Sequence, residues 1–182
     1  RGLDLWFGST RDEAALFEQF APDEYHVPID ALVAQVTAWT GAETAGDIVE
    51  RYVRDGAGDG SPRARLITDW VYRLPAARAA LAQAATGGRA FLSVFGRADG
   101  EPAGHAADVP ALFGRTPENA GEGQTRRQRE LTEALLRFAE SGDPGWPAVT
   151  TVPTSQTLGP DDWDSTRDTI AVLDKWTGVP RP

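Results

Sequence analysis

The stretch RAFLSVFGRADGEPAGHAADVPALFG, residues 89–114, decides the fold we expect for this chain. It opens with a compact apolar run that is typical of a buried β-strand, and it continues into a loop that contains Gly and Pro. The loop carries His105, one of only two histidines among the 182 residues. A histidine in a loop after a strand can act as a catalytic base, although a lone one is more often an exposed or structural side chain.

A second strand-like run lies at the start of the chain, in GLDLWFG at residues 2–8. The apolar residues that come after this run have helical spacing, so Glu13 lies at a strand-to-helix turn. Glu13 therefore follows the first strand, and His105 follows the later one. If the two strands are parallel neighbours, their carboxyl ends bring both side chains to one edge of the sheet, where an acid can fix the tautomer of a histidine base. The alternative is that Asp12 and Glu13 have a structural role only, because carboxylates are favoured at the first turn of a helix by its dipole and by capping.

Between and after these strands, the spacing of apolar residues predicts helices that pack on the sheet. Pro75 is expected to interrupt the helix that begins at residue 61. The loop PENAGEG at 117–123 is expected to precede the helix at 125–140. The order of strand, helices, strand and helices predicts an α/β protein with a few mostly parallel strands. After the helical turn at 11–20, the predicted helices cover residues 28–41, 43–54, 61–71, 76–85, 125–140 and 165–176.

Composition excludes several classes of partner and ligand. The formal charge is −9 and the arginines are scattered among carboxylates, so we expect neither nucleic acid nor an anionic membrane as a partner. No apolar run approaches the roughly 18 residues of a membrane-spanning helix, which predicts a soluble chain, cytoplasmic or secreted. With no Cys and two distant histidines, we expect no metal site. The DGAGDG segment at 55–60 has neither a preceding strand nor a following Gly-Lys-Ser/Thr, so we expect a loop and no cofactor there.

Three segments in a fixed order carry a family resemblance: FGSTRDEAALF at 7–17, GHAADVPALFG at 104–114 and RFAESGDPGWPAV at 137–149. They resemble the G-x-x-x-D-E-G segment, the histidine loop H-G/A-x-D/E-x-P-x-x-F-G and the F-A-x-T-G-x-P…W-P signature of the type B carboxylesterases. That family includes the cholinesterases and the bacterial para-nitrobenzyl esterases. Ala14 stands where the family has Gly, the spacer before Trp146 is shorter, and TDWVYRLPAARAA at 68–80 has a weaker likeness.

The resemblance implies the C-terminal portion of an α/β-hydrolase fold. Residues 1–182 would form a single lobe, with a core at 1–149 and a tail with a terminal helix at 150–182. The implied chain order is serine, acid, histidine, which makes Glu13 the acid and His105 the base that takes the proton of a serine attacking a small-molecule ester. Asp108, three residues after His105, is expected to anchor the loop by hydrogen bonds.

The nucleophile of that mechanism is absent from the sequence. None of the six serines lies in a G-x-S-x-G elbow, and no Gly-Gly-Gly-type oxyanion stretch is present. With no Met and a start at Arg1, this predicts a partner: the N-terminal part of the same esterase, which carries the serine and the oxyanion hole. It would cover an unpaired strand edge and an apolar face, and this chain alone should not hydrolyse esters. The alternative is a cholinesterase-like module without catalysis that serves in binding or adhesion.

Overall fold

The computed structural model describes residues 2–41, 43–55 and 60–180 of the chain. Residues 56–59, the centre of the loop expected at DGAGDG, lie outside these ranges. The elements in chain order are β1 (Leu5–Thr10), α1 (Ala15–Phe20), α2 (Pro22–Tyr25), α3 (Ile29–Thr40), α4 (Ala45–Arg54), α5 (Pro62–Ile67), a π-helical segment (Thr68–Arg73), α6 (Leu74–Ala85), β2 (Ala90–Phe95), α7 (Asp108–Leu112), α8 (Glu122–Ser141), β3 (Ser155–Leu158) and α9 (Ser165–Lys175).

The strands of the described ranges form one parallel sheet in the order β1-β2-β3. Leu5 lies opposite Ala90 in the first pairing, and Leu92 lies opposite Ser155 in the second. Every residue of the central strand β2 is buried, which explains its nearly continuous apolar sequence. The prediction of an α/β fold with neighbouring parallel strands is therefore confirmed. The segment 150–182, expected as a tail, contributes β3 to this sheet and α9 to the packing beside it.

Side chains of β2 alternate between two apolar clusters, one on each face of the sheet. Leu92 packs with Ala77 and Ala80 of α6 on one face. Phe95 packs with Leu131 of α8 and Leu158 of β3 on the other. A third cluster joins α3, α4, the π-helical segment and α9, whose buried members include Leu32, Val36, Ile48, Val49, Tyr52, Trp70, Leu74, Val172 and Trp176. The sheet is thus held between helices, and its carboxyl edge is left to the loops.

The expectation that Pro75 interrupts a helix is wrong. Helix α5, the π-helical segment and α6 follow one another without a break from Pro62 to Ala85. The backbone N–H of Leu74 donates to the carbonyl of Asp69, five residues earlier, which is the wider π pattern. A widened turn directly before Pro75 leaves room for the proline ring, which would otherwise clash with a carbonyl of the preceding turn, and it needs no hydrogen bond from the proline nitrogen. The helix can therefore continue past Pro75.

Helix α8 begins at Glu122, three residues before the predicted start at 125, inside the segment expected to be a loop. Asp99 explains the difference, because its carboxylate accepts hydrogen bonds from the backbone N–H groups of Gly123 (3.0 Å) and Gln124 (2.9 Å). A Cβ at Gly121 or Gly123 would lie within 2.5 Å of an Asp99 oxygen. The glycines therefore admit a cap supplied from 24 residues away along the chain.

Strand β1 is an edge of the sheet, and no described strand pairs with its outer side. Beside it, on the α8 face, lies an open apolar groove whose lining includes Trp6, Gly8, Leu135 and Phe138. The described residues therefore include an unpaired strand edge and, next to it, a groove lined mostly by apolar side chains.

Candidate active site

Glu13 lies in the turn after β1, and its side chain is buried in spite of its charge, with 4% of the residue exposed. Its Oε1 accepts a hydrogen bond of 2.7 Å from the backbone N–H of Thr10, which is the end of the strand. The neighbouring backbone N–H of Ala14 donates to Oγ1 of Thr68 in the π-helical segment, at 3.1 Å. The carboxylate is therefore fixed by the strand end and by the turn, and Oε2 is available to another partner.

That partner is His105, whose Nδ1 lies 2.8 Å from Oε2 of Glu13. The backbone N–H of His105 also donates to the carbonyl of Glu13, at 3.1 Å, so the two residues are joined through both side chain and main chain. A carboxylate only accepts hydrogen bonds, so in a neutral imidazole this pairing assigns the proton to Nδ1 and leaves Nε2 as an acceptor. The structure thus brings together the two residues that the sequence singled out, 92 positions apart.

The outer part of the imidazole is open, because 43% of the His105 side chain is exposed while only 5% of the Glu13 side chain is. No described residue forms a hydrogen bond with Nε2 of His105. A histidine held by a buried acid on one edge and open on the other is the geometry that a general base requires.

Two aromatic rings lie beside the imidazole. The ring centroid of Phe17 in α1 is 5.4 Å from that of His105, and the centroid of Tyr72 in the π-helical segment is 5.2 Å away. Burial, together with the negative charge of Glu13, raises the pKa of Tyr72. These rings limit the access of water to the Glu13–His105 hydrogen bond.

The sequence does not single out either aromatic residue as part of a site. Its periodicity indicates Phe17 only as one residue of the apolar face of a helix, and Tyr72 lies within the π-helical segment, which local periodicity does not predict. The available signal is the likeness of TDWVYRLPAARAA to the carboxylesterases, which covers Tyr72.

Two other carboxylates considered from the sequence, Asp108 and Asp12, and the second histidine, His26, have different surroundings. The carboxylate of Asp108 forms no hydrogen bond to any described residue, so its expected role as a loop anchor is wrong; Asp108 instead borders the apolar groove beside β1. Asp12 forms hydrogen bonds with Arg97 and with the backbone of Ala103. It therefore joins two loops, in addition to lying in the turn that precedes α1. His26 is an exposed side chain 3.2 Å from Glu18, away from any acid of this site.

None of the six serines, all of which lie in the described ranges, forms a hydrogen bond with His105. Those ranges also hold no group of three or more His, Asp or Glu side chains that could bind a metal ion. Within them, no helix combines the length and apolar character needed to cross a bilayer.

No protein-family model matches the sequence. Among solved structures, the chain is similar to a PNB esterase, with a TM-score of 0.69 and 23% sequence identity over 92% of this chain. It is similar to the carboxylesterase EST55 of Geobacillus stearothermophilus with a TM-score of 0.69 and 22% identity, and to a thermophilic PNB esterase with a TM-score of 0.68 and 20% identity. At this level of identity the likeness shows the fold alone, which is that of the matching portion of these esterases.

The likeness covers only part of those esterases. The chain spans 38% of the length of the PNB esterase and 39% of that of the carboxylesterase. A match to less than half of each neighbour is consistent with the C-terminal portion that the three motifs predict.

Proposed function

We propose that this chain is the C-terminal part of a serine carboxylesterase and supplies the acid and the base of its catalytic triad. The observation that carries the proposal is the hydrogen bond of 2.8 Å between Oε2 of Glu13 and Nδ1 of His105, with the acid buried and the imidazole open. The order of the two residues along the chain and the esterase fold support the same assignment.

In this mechanism Nε2 of His105 takes the proton of a serine hydroxyl as the serine oxygen attacks the ester carbonyl. The imidazolium that forms is stabilised by the adjacent Glu13 carboxylate, and it returns the proton to the departing alcohol oxygen. In the second half, His105 removes a proton from water as the water oxygen attacks the acyl carbon. The imidazolium then returns this proton to the serine oxygen as the bond between that oxygen and the acyl carbon breaks and the carboxylic acid leaves. Glu13 stays ionised throughout and fixes the orientation of the ring.

The serine and the oxyanion hole belong, in this proposal, to a segment of the esterase outside residues 1–182. The reading frame that encodes Arg1 should therefore encode a G-x-S-x-G elbow before it. The unpaired edge of β1 and the apolar groove beside it offer a surface on which such a segment can pack. A non-catalytic binding module would have no need of a buried carboxylate aimed at Nδ1 of an open histidine.

The test is hydrolysis of para-nitrophenyl acetate by this chain combined with the serine-bearing segment. We expect activity only in the combined protein, and a fall in kcat of at least about 100-fold in His105→Ala, because a general base contributes roughly 10²- to 10⁴-fold. His26→Ala is the matched control, since it removes the other histidine, which is exposed and outside the site. Activity undiminished by His105→Ala would contradict the proposal.

A further inference from the structure

Four charged residues cross-link the loops that follow the three strands, directly behind the Glu13–His105 pair. We call them the strand-end ring: Arg11 and Asp12 after β1, Arg97 after β2 and Asp161 after β3. They lie at the carboxyl ends of all the described strands. The loop that carries Glu13, called the acid loop, begins at the end of β1, and the loop that carries His105, called the histidine loop, begins at the end of β2.

Asp161 joins the ends of all three strands. Its two carboxylate oxygens accept from Nη1 of Arg11 at 2.7 and 2.8 Å, and Oδ2 also accepts from the backbone N–H of Arg97 at 2.8 Å. A Cβ at Gly96 would lie 2.8 Å from Cβ of Asp161, so only glycine permits this close approach of the β2 and β3 ends.

Asp12 closes the ring and extends it to the histidine loop. Its carboxylate accepts from Nε (2.9 Å) and Nη2 (2.5 Å) of Arg97 in the bidentate geometry that arginine favours. The same carboxylate accepts from the backbone N–H of Ala103 at 3.0 Å, and the N–H of Asp12 donates to the Ala103 carbonyl at 2.9 Å. Ala103 is two residues before His105, and Asp12 immediately precedes Glu13.

From this arrangement we infer that Arg97 and Asp12 are positioning residues that set the distance between Glu13 and His105 by fixing the acid loop to the histidine loop. The inference rests on the proposed function. Neither residue needs to touch the substrate, because both act on the geometry of the pair through the backbone at Ala103 and Glu13.

Burial and charge make the ring a rigid connection. The side chains of Asp12 and Asp161 are each 9% exposed, so their hydrogen bonds are shielded from competing water. Burial alone raises the pKa of Asp161, but the Arg11 guanidinium and the backbone N–H of Arg97 outweigh it and hold this pKa below its usual range. The carboxylate is therefore ionised at neutral pH, as its hydrogen bonds with Arg11 and Arg97 require.

The test measures the tautomer of His105 in this chain by two-bond ¹H–¹⁵N correlation spectra, which distinguish a protonated ring nitrogen from a bare one. We expect Arg97→Ala to convert a single Nδ1–H tautomer into a mixture, because the Asp12 carboxylate then loses the two hydrogen bonds that hold it in place against Ala103. In the combined esterase the same variant should lower kcat by roughly 10- to 100-fold with KM unchanged, the scale of a slight misplacement of reacting groups.

Arg89→Ala is the matched control. Arg89 forms a bidentate pair with Asp4, at 2.8 and 2.6 Å, that joins the same two strands at their opposite ends. It should leave the His105 spectrum unchanged. If Arg97→Ala fails to fold, Arg97→Lys takes its place, because lysine keeps the charge but cannot bind both oxygens in a fork, and it should give a smaller tautomer shift.

A single Nδ1–H tautomer in every folded Arg97 variant would overturn the inference and leave the ring a structural feature only. Absence of the Nδ1–H tautomer from the unmodified chain would instead contradict the proposed function, and with it the inference. The two failures are therefore distinguishable in one set of spectra.

Discussion

Ala106, the residue after His105, has a backbone φ of 61°, in the left-handed region that residues with a Cβ rarely adopt. This conformation turns the chain sharply after the histidine, where the N–H of Ala107 donates to the Gly104 carbonyl at 3.1 Å. Strained backbone of this kind collects at functional sites, because a turn that places a side chain need not be the turn of lowest energy. Alanine, the smallest side chain with a Cβ, keeps the strain low.

Ala106→Gly should raise the free energy of unfolding by about 0.5–1 kcal/mol, since the relief of left-handed strain exceeds the added entropy of glycine. Ala106→Val should lower it by about 1–2 kcal/mol, because β-branched side chains fit this region poorly. Urea denaturation of both variants measures the change. Ala107→Gly is the control: its φ of −62° is ordinary, so glycine there should only destabilise. Equal destabilisation by glycine at 106 and 107 would show that Ala106 is unstrained.

At the scale of residues, the candidate site was predictable where chemistry shows in the local sequence. Glu13 and His105 each follow an apolar run, and the motifs around them resemble one family. The contacts that orient them were not predictable, because those made by Arg97, Asp161 and Tyr72 join segments that are far apart in the sequence. No local pattern indicates that Asp12 bonds to a residue 85 positions away.

Among the elements, the π-helical segment connects the site to the helical core. Oγ1 of Thr68 accepts a hydrogen bond from the backbone N–H of Ala14, next to Glu13, and the ring of Tyr72 lies beside that of His105. Asp69 is buried in the helical core. There the hydroxyl of Tyr52 in α4 donates to Oδ2 of Asp69 at 2.7 Å and accepts from Nε1 of Trp176, after α9, at 2.8 Å. Burial and the negative charge of Asp69 raise the pKa of Tyr52 well above its usual value, so the hydroxyl keeps its proton.

Tyr52→Phe should therefore lower the free energy of unfolding by about 2–4 kcal/mol, because it leaves a buried carboxylate oxygen and a buried indole N–H each without this partner. Denaturant unfolding followed by circular dichroism gives the value. Tyr25→Phe serves as the control, since the Tyr25 hydroxyl forms no hydrogen bond to a described residue and its loss should cost less than about 0.5 kcal/mol. A Tyr52→Phe variant as stable as Tyr25→Phe would exclude this network as a link between α4 and α9.

Elements with strong periodicity and local caps were predicted closely from the sequence. Ser61 caps α5 through the N–H of Ala64, and α3 ends at Gly41 in the left-handed conformation, both as local sequence signals indicate. The misses have tertiary causes. The cap of α8 comes from Asp99 in a distant loop, and the π turn before Pro75 lies where Thr68 accepts a hydrogen bond from the backbone of Ala14.

For the whole molecule, the parallel sheet explains why two weak signals far apart in sequence form one site. Parallel pairing of β1 with β2 places both following loops at the same edge, and the strand-end ring ties them together. The same sheet ends at β1 with an unpaired edge, and the chain spans 38% of the PNB esterase that it resembles. In the function that we propose, the chain supplies the acid and the base of a catalytic centre, and their geometry is already set in the absence of the nucleophilic serine.

The most direct test of the Glu13–His105 pair as acid and base is the protonation of the His105 ring in the unmodified chain, with Glu13→Gln beside it. With ¹⁵N-labelled histidine at a pH where the ring is neutral, we predict a proton on Nδ1 and none on Nε2. We also predict that Glu13→Gln, which keeps the shape but removes the charge, abolishes this preference. A proton on Nε2 in the unmodified chain, or the same tautomer with and without the Glu13 charge, would contradict the claim that Glu13 prepares His105 as a general base.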